Sequence, residues 1–282
     1  MIEDDLVGEI AAHVHDAGCY PLGTLSPMAR RFRVGYQIHP QHCTVDDIRA
    51  AARRADELGA DTVWVWDHMY PLYGPPEGAS HECWTLLSAI AVETSHAQIG
   101  ALVCSTGYRN PELLAYMAGT LDHISHGRAI LGIGAGWFER DYTEYGYEFG
   151  DAPSRLRRLG ADLPRVRSRL ERLPAPPPHR IPIMIGGGGE KVTLRLVAQH
   201  ADMWNTFPPA DAYARKVAIL DEHCARIGRN PREIERTMSI GEDMVDGDLE
   251  PVLEAGAEHL IIRGAQPFDT SKLERLIARA EA

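Results

Sequence analysis

Ile181-Pro-Ile-Met-Ile-Gly-Gly-Gly-Gly189, followed by Glu190-Lys191 and Val192-Thr-Leu-Arg-Leu-Val-Ala198, puts a strand, a turn and a helix into one short segment. The apolar run Ile181, Ile183, Met184 and Ile185 reads as a fully buried strand. Four glycines leave it, and a helical pattern begins at Val192. Glycine reaches backbone conformations that a Cβ forbids and lets a ligand approach the main chain. The amides of such a turn, with the helix N-terminus behind them, form a phosphate site. Two glycines would make a plain turn; Gly186, Gly187, Gly188 and Gly189 together favour phosphate binding. The spacing is not Gly-x-Gly-x-x-Gly and has no Gly-Lys-Ser/Thr ending, so a cofactor phosphate fits better than a nucleoside triphosphate.

The same alternation continues in both directions. Downstream, residues 202–205, 237–240 and 258–263 read as strands, each followed by helical sequence. Upstream, strands are predicted at 32–38, 61–66, 99–104 and 129–133. Between them, Thr44 with Asp47 starts a helix whose Val45, Ile48, Ala52 and Ala55 share a face. A second helix covers 81–95. Asn110-Pro111-Glu112 caps a third, with Leu114, Met117, Leu121 and Ile124 inward. A charged helix at 155–173 ends at Pro174 and Pro176-Pro-Pro178. Eight strand–helix units predict an α/β fold, a (β/α)₈ TIM barrel over residues 32–282. A doubly wound sheet would leave strands over. Residues 1–31 read as an N-terminal extension, weakly helical at 9–15 and without the apolar segment of a secretion signal.

The chain has 282 residues, 44% hydrophobic and 24% charged, enough for a sizeable core. A net charge of −11 argues against nucleic acid or an anionic membrane surface as partner. Five cysteines without a Cys-x-x-Cys pair suggest reduced thiols and a cytoplasmic location. No apolar stretch approaches the roughly 20 residues of a membrane span.

In a barrel of this kind chemistry sits at the C-terminal strand ends. Those positions hold His39, Asp67-His68, Ser105-Thr106, Gly134-Ala135-Gly136-Trp137, the glycine run, Asn205-Thr206 and Arg263-Gly264. His68 follows Trp64-Val-Trp66, so it can project into the mouth and exchange a proton near neutral pH. Gly132-Ile-Gly134-Ala-Gly136 has spacing that lets a flat ring approach a strand end, or equally supplies the small residues that barrel strands carry for packing. Tyr142, Tyr145, Tyr147 and Phe149 suit either an apolar wall over the site or an ordered core loop. Cys104 has no basic neighbour and reads as a buried, inert thiol. His13-Val-His15 precedes the first strand, and no later series completes a metal site, so no metal is expected. His39, His42, Glu77, His81 and Glu82 form either a supporting cluster or solvated loop positions.

Several stretches together resemble the luciferase-like flavin and deazaflavin oxidoreductases, and within them the F420-dependent group. They are Ala55 through Asp67-His68, Tyr108-Arg-Asn-Pro111, Thr120-Leu-Asp122 with Ser125-His-Gly-Arg128, Leu131 through Trp137, and Ile181 through Asn205. The resemblance implies a barrel that holds coenzyme F420 with its ring in the mouth and its phosphate on Gly186–Gly189, FMN being the alternative. It implies His68 as a catalytic residue supported by Asp67. Cofactor contacts would come from His39, Leu102, Val103, Cys104, Ser105, Gly134, Ala135, Gly136 and Trp137, with a non-proline cis peptide near Leu102-Val103. Where the family's sugar-phosphate dehydrogenases carry a tryptophan and a glutamate, this chain has Leu72 and Trp137. Glucose 6-phosphate is therefore not the expected substrate. A shorter segment between the fourth and fifth strands implies a more open pocket, for a small apolar or aromatic substrate. The resemblance also implies a homodimer. The competing readings are an FMN-dependent monooxygenase of the same superfamily, a barrel metallohydrolase and a non-catalytic F420-binding protein.

Overall fold

The computed structural model describes residues 30–177, 179–207 and 209–282. The expectations for residues 1–29, including the extension and His13-Val-His15, lie outside them. The strands are β1 (Arg33–Ile38), β2 (Thr62–Val65), β3 (Gln98–Ala101), β4 (Cys104–Ser105), β5 (Ala129–Gly134), β6 (Ile183–Gly186), β7 (Met203–Thr206), β8 (Glu235–Ile240) and β9 (His259–Gly264). They form one parallel sheet in the order β3-β2-β1-β9-β8-β7-β6-β5-β4, closed by a β3–β5 pairing. β3 and β4 are two halves of one barrel strand. Ile99 and Gly100 pair with Ala129 and Ile130, and Cys104 and Ser105 with Ile133 and Gly134. The expected eight-stranded barrel is present, with its third strand divided at the cis peptide Leu102–Val103.

Strands of a parallel barrel are buried on both faces, which explains why they read as apolar runs. Val34, Tyr36 and Ile38 of β1 face the helices in the main core. Trp64, Leu102, Ile130, Met184, Met203 and Ile261 fill the barrel interior as a second cluster. Below that layer lies a closed polar network. Arg33 donates to both Glu235 oxygens at 2.9 Å, and His259 Nδ1 donates to Glu235 at 2.8 Å. Trp64 Nε1 donates to Thr62 Oγ1, whose hydroxyl is left to donate to His259 Nε2.

The helices are α1 (Val45–Glu57), α2 (Cys83–Glu93), α3 (Pro111–Ile124), α4 (Glu139–Glu144), α5 (Ala152–Leu170), α6 (Thr193–His200), α7 (Ala210–Arg226), α8 (Glu242–Val245), α9 (Glu250–Glu254) and α10 (Ser271–Glu281). Thr44 and Asp47 form the expected capping box on α1, and Asn110 caps α3. Ile48, Ala52 and Ala55 pack inward, but Val45 in the first turn stays exposed. The charged helix α5 starts three residues before its expected position because Asp151 and Ser154 cap it reciprocally. Among the described residues no helix is long and apolar enough to cross a membrane.

Candidate functional site

A cavity of about 440 Å³ opens at the C-terminal ends of the strands, within the range of small-molecule sites. His39, Asp67, His68, Leu102, Val103, Cys104, Ser105, Gly134, Ala135, Gly136, Trp137, Gly186 and Gly187 all line it. Gly188 and Gly189 lie beyond the lining. Leu72 and Trp137 both belong to the wall.

His68 follows β2, and its Nδ1 lies 2.7 Å from Asp141 Oδ2. A carboxylate only accepts, so Nδ1 carries the proton and Nε2 is left for a ligand. Asp141 is fully buried and also accepts from the amides of Met69 and Tyr70 at 3.1 Å and from Tyr108 Oη at 2.8 Å. Burial, and then the Asp141 carboxylate, push the Tyr108 phenol well above its usual range, so Tyr108 stays a donor. Asp67 was expected to orient either the loop or the imidazole. It makes no hydrogen bond to the imidazole and accepts from both arms of Arg109, at 2.5 and 3.1 Å, and Arg109 also reaches Glu82. Both residues lie beyond the end of β2, where Arg109 takes Asp67 and Asp141 of α4 takes the imidazole. The rings of Trp66, Trp137 and Phe138 surround the imidazole at centroid distances of 5.6 to 6.1 Å.

His39 stacks on Trp66 with ring centroids 4.2 Å apart. Burial, then the nearby Arg263 charge, lower its pKa to about 4, so it is neutral at pH 7. The β2–α2 loop forms one wall. Gln41 holds it by donating to Tyr73 O and accepting from Leu72 N, while Arg140 donates to Pro76 O.

Of the two readings of the β5 glycines, ring approach and strand packing, the contacts at Gly132 and Gly134 support packing. A Cβ on Gly132 would strike the Ala101 carbonyl, and one on Gly134 or Gly186 would press on the Val103 side chain. They accommodate the divided third strand, and Val103 rather than bare backbone floors the cavity. Gly136, at φ +82°, would collide with Tyr142 and Ser105 if it carried a Cβ. Cys104 is fully buried, and burial raises its pKa, consistent with an inert thiol.

In the glycine run, Gly187 N donates to Asn205 O, whereas the amides of Gly188 and Gly189 have no acceptor among the described residues. Trp204 Nε1 donates to Gly187 O at 2.8 Å and Lys216 Nζ to Gly188 O at 2.6 Å. In a trans peptide the N–H points opposite to the C=O. Tying those two carbonyls to Trp204 and Lys216 therefore turns the Gly188 and Gly189 amides the other way, next to the N-terminus of α6. Two unbonded amides placed ahead of a helix N-terminus have the chemistry to hold an anion beside the cavity.

The aromatic stretch divides between its two readings: Tyr142 is buried with its hydroxyl 2.5 Å from Ser105 Oγ, while Tyr145 is exposed. The His/Glu cluster does not assemble. His42 bonds Tyr73 O, His81 bonds Cys43 O, Glu77 pairs with Arg140, and Glu82 caps α2. Asp141, Gln37, Tyr73 and Phe207 were not singled out from the sequence. Nothing in the sequence sets Asp141 apart from Glu139, Glu144 and Glu148 of the same stretch.

The sequence pattern of the luciferase-like monooxygenase family matches residues 26–160 and 161–274, and the chain belongs to that family. It is similar to an F420-dependent glucose-6-phosphate dehydrogenase of Amycolatopsis mediterranei, with 34% identity over 138 residues, 48% of this chain and 40% of the relative. It is 28% identical over 253 residues to a phthiodiolone/phenolphthiodiolone dimycocerosates ketoreductase of Mycobacterium bovis, covering 76% of this chain and 65% of that one. The chain thus spans less than two thirds of either relative's length. A solved F420-dependent secondary alcohol dehydrogenase in complex with an F420-acetone adduct superposes with a TM-score of 0.80 at 18% identity, covering 89% of this chain and 99% of that one. That likeness is one of fold.

Proposed function

We propose that this member of the luciferase-like family is an F420-dependent oxidoreductase that moves a hydride to or from a small organic substrate in the barrel mouth. The observation that carries the proposal is the placement of His68, backed by Asp141, in an apolar cavity that adjoins the glycine cradle. Both relatives bear the names of oxidoreductases, and the name of the dehydrogenase specifies F420. The free amides of Gly188 and Gly189 suit the cofactor's phosphate, and the apolar lining around Val103 and Ala135 suits its ring. When bound, F420 would supply hydride chemistry at C5 of its deazaflavin ring.

The chain's own residues then have defined tasks. Asp141 fixes the imidazole with Nδ1 protonated, and His68 Nε2 gives or takes the proton that accompanies hydride transfer. Trp66, Trp137 and Phe138 keep water from that nitrogen. Asp67 acts at one remove, anchoring Arg109 and with it the start of α3.

A screen of aldehydes, ketones and alcohols for bleaching or recovery of F420 absorbance tests the proposal. Turnover with F420 is expected. Oxygen consumption with reduced FMN and no turnover with F420 would make the protein a flavin monooxygenase. Binding of F420 with no bleaching by any compound would make it a cofactor carrier. Chelator-sensitive hydrolysis would make it a metallohydrolase.

We assign the active form as a homodimer. In support, Val92 of α2 and Leu113 and Tyr116 of α3 are 72, 50 and 53% exposed on neighbouring helices. The cytoplasm is the proposed location, since Cys43, Cys83, Cys104 and Cys224 are all buried free thiols.

A further inference from the structure

We infer that the substrate carries a single carboxylate on an apolar or aromatic body, and that Arg263 holds it; this rests on the hydride-transfer reading above. Among the described residues the Asp, Glu, Lys, Arg and His side chains that line the cavity are Asp67, Arg263, His68 and the neutral His39. Asp67 is matched by Arg109 and His68 by Asp141. Arg263 forms no ion pair among the described residues, and its one hydrogen bond is a long one, Nε to Ile240 O at 3.4 Å. Asp243 of α8 lies close by, since a Cβ on Gly241 would touch both its Oδ1 and Arg263 Nη2, but it makes no hydrogen bond to the guanidinium, which keeps its Nη donors for an anion entering from the cavity. Its planar fork matches a carboxylate with two parallel hydrogen bonds.

The position of Arg263 in the ring of strands assigns it to the substrate. Arg263 on β9 pairs in register with Gln37 on β1, and both side chains line the cavity. β1 separates β9 from β2, whose end bears His68. The glycine cradle follows β6, with β7 and β8 between it and β9. Arg263 therefore stands two strands from His68 around the mouth, on the side away from the phosphate cradle. The surroundings favour one negative charge. His39 is neutral at pH 7, Gln37 and Ser239 are uncharged, and Trp66, Leu72 and Tyr73 are the nearby wall. A phosphate dianion would bring one charge more than Arg263 can balance. Tyr73 and Phe207, exposed at the rim, provide the apolar surface for the body.

The test is binding of 4-acetylbenzoate, its methyl ester and 4-acetylphenylphosphonate, read by calorimetry on the full chain with and without F420. The wild type should bind the carboxylate about 10-fold or more tighter than the ester, the scale of a charge-assisted pair. Arg263→Gln should remove that preference, leaving ester binding and F420 affinity within about 2-fold. The inference is overturned if acid and ester bind the wild type alike, if the phosphonate binds best, or if no acid binds. It is equally overturned if Arg263→Gln keeps the preference, or loses F420 affinity instead. Acid binding that persists in a protein unable to bind F420 would refute the hydride-transfer reading and leave the carboxylate site standing.

Discussion

At the residue scale the account turns on Asp141, which accepts four hydrogen bonds and sets the state of His68. His68→Ala should lower kcat by ~10²-fold or more, the usual scale of general acid–base help, with F420 affinity nearly unchanged. Asp141→Asn keeps an oxygen for the Met69 and Tyr70 amides but presents an N–H to His68, which must then protonate at Nε2. We expect a kcat loss of ~10-fold to 10²-fold at constant F420 affinity, together with a switched tautomer in nitrogen NMR of His68. A kcat loss without that switch would make Asp141 a fold residue only. His39 predicts an acid limb. Its folded pKa of about 4 lies below the unfolded ~6.5, so its stabilising effect is complete above pH 6.5 and fades as pH falls towards 4. The shift corresponds to an upper limit of roughly 3 kcal/mol. Urea unfolding at pH 7.5 and 4.5 should therefore show a shallower pH dependence in His39→Gln than in the wild type; equal slopes would contradict this.

At the element scale, the strand–glycine–helix unit at 181–198 was legible because its parts are local. Ile183, Met184 and Ile185 are fully buried in β6, and the turn follows where the glycines place it. Other features were not legible because they depend on partners far along the chain. The division between β3 and β4 falls where pairing with β2 ends and pairing with β5 alone continues. Helix α4 has no side-chain cap, only Phe138 at the N-cap, and so carried no starting signal. Asp141 sits in that unsignalled helix, 73 positions from His68. Gly187 gives the prediction at this scale. Its φ of +124° is open to glycine and strained for alanine, although a Cβ would have room beside Thr193. Gly187→Ala should therefore weaken F420 binding by about 10-fold through the cost of a strained backbone. Turnover of the loaded fraction should hardly change. Normal affinity in that variant would show that the cofactor does not depend on the shape of this turn.

Across the whole molecule, the two ends of the barrel divide the work. The lower end holds the hydrogen-bonded network of Arg33, Glu235, His259 and Thr62, whereas at the upper end the Gly188 and Gly189 amides, His68 Nε2 and the Arg263 Nη groups have no hydrogen-bond partner among the described residues, and these are the groups that the proposed function uses. The proposed homodimer would use the exposed side chains of α2 and α3. Light scattering should give a dimer at micromolar concentration and a monomer for Tyr116→Glu, whereas a monomeric wild type would refute the assembly. The central claim is the cofactor, and equilibrium titration of the full chain with F420, with FMN in parallel, tests it most directly. The account predicts saturable F420 binding that a change at Gly187 weakens and FMN does not displace; saturable binding of FMN alone would contradict it.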